Sequence, residues 1–165
     1  MTLQEAKTLA LELMSEHGLT YDGWRFEFDN ARRRAGVCMY YSKTISLSKY
    51  LLPYMKDDKV KDTLLHEIAH AMVGSRHGHD RVWQRQAIAI GCNGARCYDA
   101  ETEFHEGAIE ELAAQSKYSM TCSSCGYTVA KHRKPKRSKA CGKCCKKYNG
   151  GQYSEKYKLT LTQNY

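Results

Sequence analysis

Several things are missing from this 165-residue chain, and each absence removes a class of function. No apolar run approaches the roughly 20 residues needed to cross a bilayer, so no membrane span and no membrane partner are expected. The opening residues, Met1-Thr2-Leu3-Gln4-Glu5, carry no basic segment followed by an apolar one, so a secretory signal peptide is not read there. Internal repeats are lacking, which excludes a solenoid or propeller. Acids nearly vanish from the C-terminal third. Residues 116–165 hold twelve of the chain's 26 Lys and Arg but only one of its 18 acids, Glu155, while the first 115 residues carry 14 bases against 17 acids. A segment so cationic is expected to meet a polyanion.

What is present begins with eight cysteines. Without a secretory signal they point to metal ligation in a reducing compartment rather than to disulfides. Cys122-Ser123-Ser124-Cys125 and Cys141-Gly142-Lys143-Cys144 form two CxxC pairs with fifteen residues between them. That spacing reads as a four-thiolate structural zinc site, closed to chemistry and supplying much of the folding energy of a module too small to build a core. Gly126 eases the turn after the first pair, and Cys145 competes with Cys144 as the fourth ligand. Cys38, Cys92 and Cys97 remain. The last two form either a second metal or redox pair or, as is more usual, small buried apolar groups.

The feature richest in chemistry is His66-Glu67-Ile68-Ala69-His70, at the end of an apolar, helix-patterned run. Residues four apart share one helix face, so both imidazoles can hold one Zn²⁺, and Glu67, one step round, can take a proton from a water on that ion. A catalytic zinc needs a third protein ligand. The metzincin spacing fails, because Val73 and Arg76 stand where it requires glycine and histidine. His79 and His77 are the candidates and Asp80 a further one; His79 is preferred, with Trp83 placed to pack under the zinc helix, while His77 would cap the turn.

Along the chain, Thr2 and Glu5 form a capping box ahead of a helix with Leu3, Ala6, Leu9, Ala10, Leu13 and Met14 on its apolar face, stopping near Gly18. Trp24, Phe26 and Phe28 alternate with Arg25, Glu27 and Asp29 as a one-sided strand. Residues 37–41 and 44–48 read as a hairpin around Ser42-Lys43. Arg32-Arg33-Arg34 sits at the turn before it, either solvated or facing phosphate. Asp57 or Asp58 is expected to cap the zinc helix, with Val60, Leu64, Ile68 and Ala71 or Met72 turned inward. A further helix covers roughly residues 81–90 and ends at Gly91. Residues 99–111 contain six acids and no base, as a helical linker or a segment folded over the basic module.

Taken in order, Trp24-Arg25-Phe26-Glu27-Phe28, Asn30-Ala31-Arg32-Arg33-Arg34-Ala35-Gly36, Ile45-Ser46-Leu47-Ser48, the HEIAH helix and Gly78-His79 with Trp83 resemble the SprT-like (Spartan-like) zinc metalloproteases, some of which also end in a four-cysteine ribbon. The resemblance implies an α+β fold, a zincin-like domain of helices on a small antiparallel sheet, followed by a β-rich Cys₄ zinc ribbon. It implies that the histidine after the glycine, His79, is the third zinc ligand. Where the family usually continues with glycine, this chain has Asp80. It further implies proteolysis of proteins bound or crosslinked to DNA.

The expected layout is therefore a protease domain over 1–98, an acidic linker or hinge over 99–116 and a basic ribbon over 117–165. Two Zn²⁺ are expected, one catalytic at His66, His70 and His79 beside Glu67, one structural at Cys122, Cys125, Cys141 and Cys144. Lys131, Arg133, Lys134, Lys136, Arg137 and Lys139, on the loop between the cysteine pairs, would grip phosphates of DNA, single-stranded DNA in preference. Tyr127, Tyr148, Tyr153 and Tyr157 would stack on unpaired bases. The chain is read as a monomer of the bacterial or phage-infected cytoplasm, or of the nucleus in a eukaryotic host. The rival reading is a nucleic-acid-binding ribbon adaptor whose HExxH site is not catalytic.

Overall fold

A computed structural model of the chain describes residues 1–96 and 103–165. It has an α+β fold, and it divides into two compact units, Met1–His105 and Glu106–Tyr165.

The first unit starts with helix α1 (Leu3–Glu16), whose Thr2 accepts from the Glu5 backbone N–H while Glu5 returns the bond to the Thr2 backbone. This reciprocal cap satisfies two of the helix's orphan donors. Ala6, Ala10, Leu13 and Met14 form its buried face. The chain then builds strands β1 (Arg25–Asp29), β2 (Gly36–Met39) and β3 (Thr44–Ser48) in the spatial order β1-β3-β2. β2 and β3 pair antiparallel as the expected hairpin, but β1 runs parallel to β3, so the sheet is mixed rather than antiparallel.

The cause lies in the 30–35 segment, which crosses the end of β3 instead of turning back on β1. Ser48 holds it there twice, its N–H donating to Ala35 O (2.7 Å) and its Oγ to Ala31 O (2.5 Å). β3 is the central strand and is buried at all five positions. Its three hydroxyls find acceptors, Thr44 at Ser42 O, Ser46 at Asp29 and Ser48 at Ala31 O, so polar residues survive in the middle of the sheet at little cost.

Helix α2 (Asp57–Val73) carries the HEIAH sequence and packs against α1, β2, β3 and the following helix α3 (Arg81–Ala89). Its N-cap is Lys56 and makes no side-chain cap bond. Asp57 and Asp58, expected as caps, instead lie in the first turn, where carboxylates complement the helix dipole, and Asp57 also pairs with the N-terminal ammonium at 2.6 Å. Val60, Leu64 and Ile68 face inward with Leu65 and Ala69. Of Ala71 or Met72, expected as the last member of that stripe, Ala71 is half-buried and Met72 is 40% exposed.

The second unit is an antiparallel sheet, β5-β4-β6, of strands β4 (Tyr118–Cys122), β5 (Thr128–Lys131) and β6 (Leu159–Gln163), with helix α4 (Ala108–Ala114) packed on β4 and β5 and helix α5 (Gly142–Tyr148) between β5 and β6. The segment expected as a linker is built into both units. Phe104 is buried and bridges Met55, Glu103 O accepts from Lys56 N–H, and Ala108, Leu112 and Ala113 are buried in the second unit. Residues 99–102 of that segment lie outside the described residues. Among the described residues no helix is long and apolar enough to cross a membrane.

Candidate metal centres

One turn of α2 separates His66 from His70, and both rings meet His79 from the loop ahead of α3. His79 Nε2 lies 3.0 Å from His66 Nε2 and 3.1 Å from His70 Nε2. Three nitrogens around one point suit a tetrahedral ion with Zn–N distances of 2.0–2.1 Å, which would set the ligand atoms about 3.3 Å apart. The rings are also poised chemically. Burial, reinforced by the neighbouring imidazoles, pushes His66 and His70 down to about 4, so both are neutral lone-pair donors at physiological pH. The Ala95 backbone hydrogen-bonds the His66 ring, fixing its orientation from behind.

Trp83 forms the floor. It is 1% exposed, its ring centre lies 4.6 Å from those of His66 and His79, and it stacks on His70 at 5.1 Å and 24°. Asp80 puts it there. One carboxylate oxygen accepts from the backbone N–H groups of Val82 (2.9 Å) and Trp83 (3.0 Å), capping α3, while the other takes His77 Nδ1 at 2.8 Å. Asp80 and His77 are thus engaged with each other, and neither belongs to the histidine cluster. The residue that departs from the family's glycine serves as a helix cap.

Glu67 opens on a cleft of about 460 Å³ that it lines with His66, His70, His79, Arg34, Cys38 and Tyr40. It is 8% exposed, and that burial raises its carboxyl to about 7 against the opposing pull of the Arg34 cation and a hydrogen bond from the Cys38 backbone. The approach of β2 is possible because residue 36 is glycine. A Cβ there would lie 2.9 Å from Thr63 Cγ2 and 3.0 Å from Glu67 Cγ. Burial, and after it the Glu67 charge, pushes the Cys38 thiol up to about 12, so it stays protonated and unreactive.

Gly36, Cys38 and Tyr40 were not singled out as site residues from sequence, and Arg34 was read only as solvated or facing phosphate. Gly36 closes the family-like segment quoted above, which was the available signal.

In the second unit Cys122 and Cys125 bracket a turn that Gly126 follows at φ +72°, and Cys141 and Cys144 lie at the start of α5. The second pair therefore sits at the start of a helix. The four sulfurs come together, Cys122 to Cys144 at 3.9 Å and Cys125 to Cys141 at 3.7 Å, close to the roughly 3.8 Å edge of a tetrahedral zinc thiolate site. Burial opposes ionisation of Cys122, yet the N–H groups of Ser124 and Cys125 win and bring its thiol down to about 7. Cys145 is buried with Tyr157 in the core behind the cluster. Cys92 is buried against Asp62, whereas Cys97 lies outside the described residues, so the pair they were expected to form has no described geometry.

Lys131, Arg133, Lys134, Lys136, Arg137 and Lys139 surround one shallow concavity of about 380 Å³ with Pro135. Tyr148 and Tyr153 are exposed, but Tyr157, expected as a stacking platform, is a core residue, because the sulfur cluster needs an apolar wall.

The crystal structure of the metallopeptidase zymogen of Pyrococcus abyssi abylysin is similar to the chain, at 16% sequence identity over 64% of this chain and 93% of that one, with a TM-score of 0.42. No curated protein matches. The model of the SprT-like family matches residues 5–105, the whole of the histidine-bearing unit short of its first four residues, and the chain belongs to the SprT-like family.

Proposed function

We propose that the chain is a zinc-dependent endopeptidase that cleaves proteins bound or crosslinked to DNA, with Zn²⁺ held by His66, His70 and His79 and a second, structural Zn²⁺ held by Cys122, Cys125, Cys141 and Cys144. The observation that carries the reading is the convergence of three neutral imidazoles beside a buried carboxylate on a cleft wall. Zinc bound there would polarise a scissile carbonyl and make water a competent nucleophile near neutral pH.

The protein's own share follows from placement. Glu67 is the one carboxylate of the HEIAH turn, it opens on the cleft, and it accepts the proton of the attacking water and delivers it to the leaving amine. Trp83 keeps the three rings from rotating. β2 supplies an extended rim for a substrate strand. The Ser48-to-Ala35 hydrogen bond turns the backbone groups of Ala35, Val37 and Met39 towards β3, so Gly36 and Cys38 turn theirs outward to the cleft.

The cationic loop of the second unit supplies nucleic-acid affinity with little sequence selectivity, and raises the local concentration of DNA-bound substrates at the cleft. The reading places the chain in DNA repair in the cytoplasm. Its test is cleavage of a DNA-bound protein by wild type and Glu67→Gln at low and high salt. Cleavage by the wild type that is faster with DNA, lost at high salt and absent in the variant supports the proposal. A zinc-loaded wild type that binds DNA and cleaves nothing overturns it in favour of an adaptor.

A further inference from the structure

We infer that the Arg32-Arg33-Arg34 crossover on the histidine-bearing unit is a second nucleic-acid contact, a phosphate-gripping rim at the mouth of the cleft. This rests on the nucleic-acid reading above and adds to it a surface outside the cysteine unit.

The segment is shaped before any ligand arrives. Asp29 Oδ1 accepts from Ala31 N–H at 2.8 Å, its Oδ2 takes the Ser46 hydroxyl at 2.5 Å and Arg34 Nη1 at 2.7 Å, and Lys49 N–H donates to the Asp29 carbonyl at 3.0 Å. These bonds lock the crossover to the end of β3 and bring Lys49 and Tyr50 beside it. The Arg32 guanidinium lies 3.9 Å from the centre of the Tyr50 ring. Such a stack holds the planar group in place and leaves its edge donors to an incoming anion. Arg33 is exposed between them, and Arg34, also exposed, lines the cleft.

Charge bookkeeping singles this place out. Residues 1–105 hold 14 bases and 14 acids, so the unit as a whole has no net charge. Yet four cations, Arg32, Arg33, Arg34 and Lys49, meet at one end of the sheet; Asp29 there is already bonded to Ser46, Ala31 and Arg34, and Glu67 draws on Arg34 alone of the four. Their density matches a repeating anion better than one carboxylate. Guanidinium forks bind phosphate oxygens in pairs, and the two arginines flanking Arg33 carry little ordering cost because the protein already holds them. A strand of nucleic acid held on this rim would lie at the mouth of the cleft itself, because Arg34 also lines the cleft.

The test is fluorescence anisotropy of a labelled 20-nucleotide single strand with the zinc-loaded full chain, measured from 50 to 300 mM salt. Two variants are compared with wild type: Arg33→Gln, which alters only an exposed side chain, and the double variant Arg32→Gln/Arg33→Gln. Each lost single-strand phosphate contact lowers the salt slope by about 0.7, so the double variant should flatten it by about 1.4 and weaken binding at 50 mM on the order of tens of fold, with Arg33→Gln giving about half the change in slope. Wild-type binding with unchanged slopes in both variants overturns this inference and leaves the nucleic-acid reading standing. A wild type that fails to bind DNA overturns both. Variants that weaken binding of a polyglutamate peptide while leaving DNA binding unchanged also overturn the inference, since the rim would then serve acidic substrates.

Discussion

Replacing Glu67 by Gln changes one oxygen for one nitrogen and separates the two things that carboxylate does. In the metal-free protein, burial raises its carboxyl from 4.5 to about 7. The folded state therefore binds this proton more tightly than the unfolded chain. Below about pH 4.5 the group is protonated in both states and costs nothing. As pH climbs towards 7 the unfolded chain ionises first and folding loses stability, reaching a deficit of about 3 kcal/mol above the folded value. Glutamine has no proton to lose. Metal-free Glu67→Gln should thus match wild type at pH 4.5 and exceed its stability by up to about 3 kcal/mol at pH 8.

Both tryptophans, Trp24 and Trp83, lie in the first unit, so urea unfolding followed by tryptophan fluorescence after chelation reports this unit alone, even if the cysteine unit unfolds without metal. With zinc restored, the same variant should retain its metal, because Glu67 is not among the converging ligands, and lose about 10²-fold to 10⁴-fold in peptide cleavage as a missing general base. Superimposable stability curves for the two proteins across pH 4.5–8 would refute the claim that the carboxylate is desolvated. Wild-type turnover in the variant would refute its role as base.

Four further substitutions address the remaining geometry. His79→Ala should drop zinc content from two ions per chain to one, whereas His77→Ala, which removes only the partner of Asp80, should keep both, by elemental analysis of the purified variants. Gly36→Ala places a methyl group 2.9 Å from Thr63 Cγ2 and 3.0 Å from Glu67 Cγ, so it should lower thermal stability by about 1–3 kcal/mol and depress kcat more than it raises KM, since what moves is the base. Asp80→Ala removes the N-cap of α3 and should cost about 0.5–2 kcal/mol in urea unfolding, with weaker zinc retention because Trp83 loses its anchor.

Local rules explain why some of this architecture was legible. The Thr2 and Glu5 cap, the 3.6-residue stripe of α2 and the hairpin of residues 37–48 each depend on neighbours within a few positions, and each appears in place. So does the meeting of His66 with His70, because four residues are close to one helical turn. The parallel pairing of β1 with β3 was not legible in this way. Strand alternation says which side of a strand is buried and is silent on which strand lies beside it. That choice is made by Ser46 and Ser48, whose hydroxyls reach Asp29 and Ala31 across seventeen residues of chain.

The same distinction separates what was read from what was missed at the cleft. Histidine and cysteine declare themselves by type and spacing. Gly36 does not, because its contribution is the absence of a side chain opposite Glu67, an approach that only its place at the end of the family-like segment hinted at. Asp80 declared a plausible but different chemistry. A carboxylate beside two histidines reads as a ligand until its oxygens are seen to be taken by Val82, Trp83 and His77. Its capping role has a consequence for the cluster. The residue that starts α3 also fixes the ring on which His66, His70 and His79 rest, so the third histidine and the floor beneath all three are set by one turn of chain. Moving that turn would disturb the ligand set and its support together. The arrangement therefore predicts that damage to the α3 cap registers in metal affinity as well as in the fold.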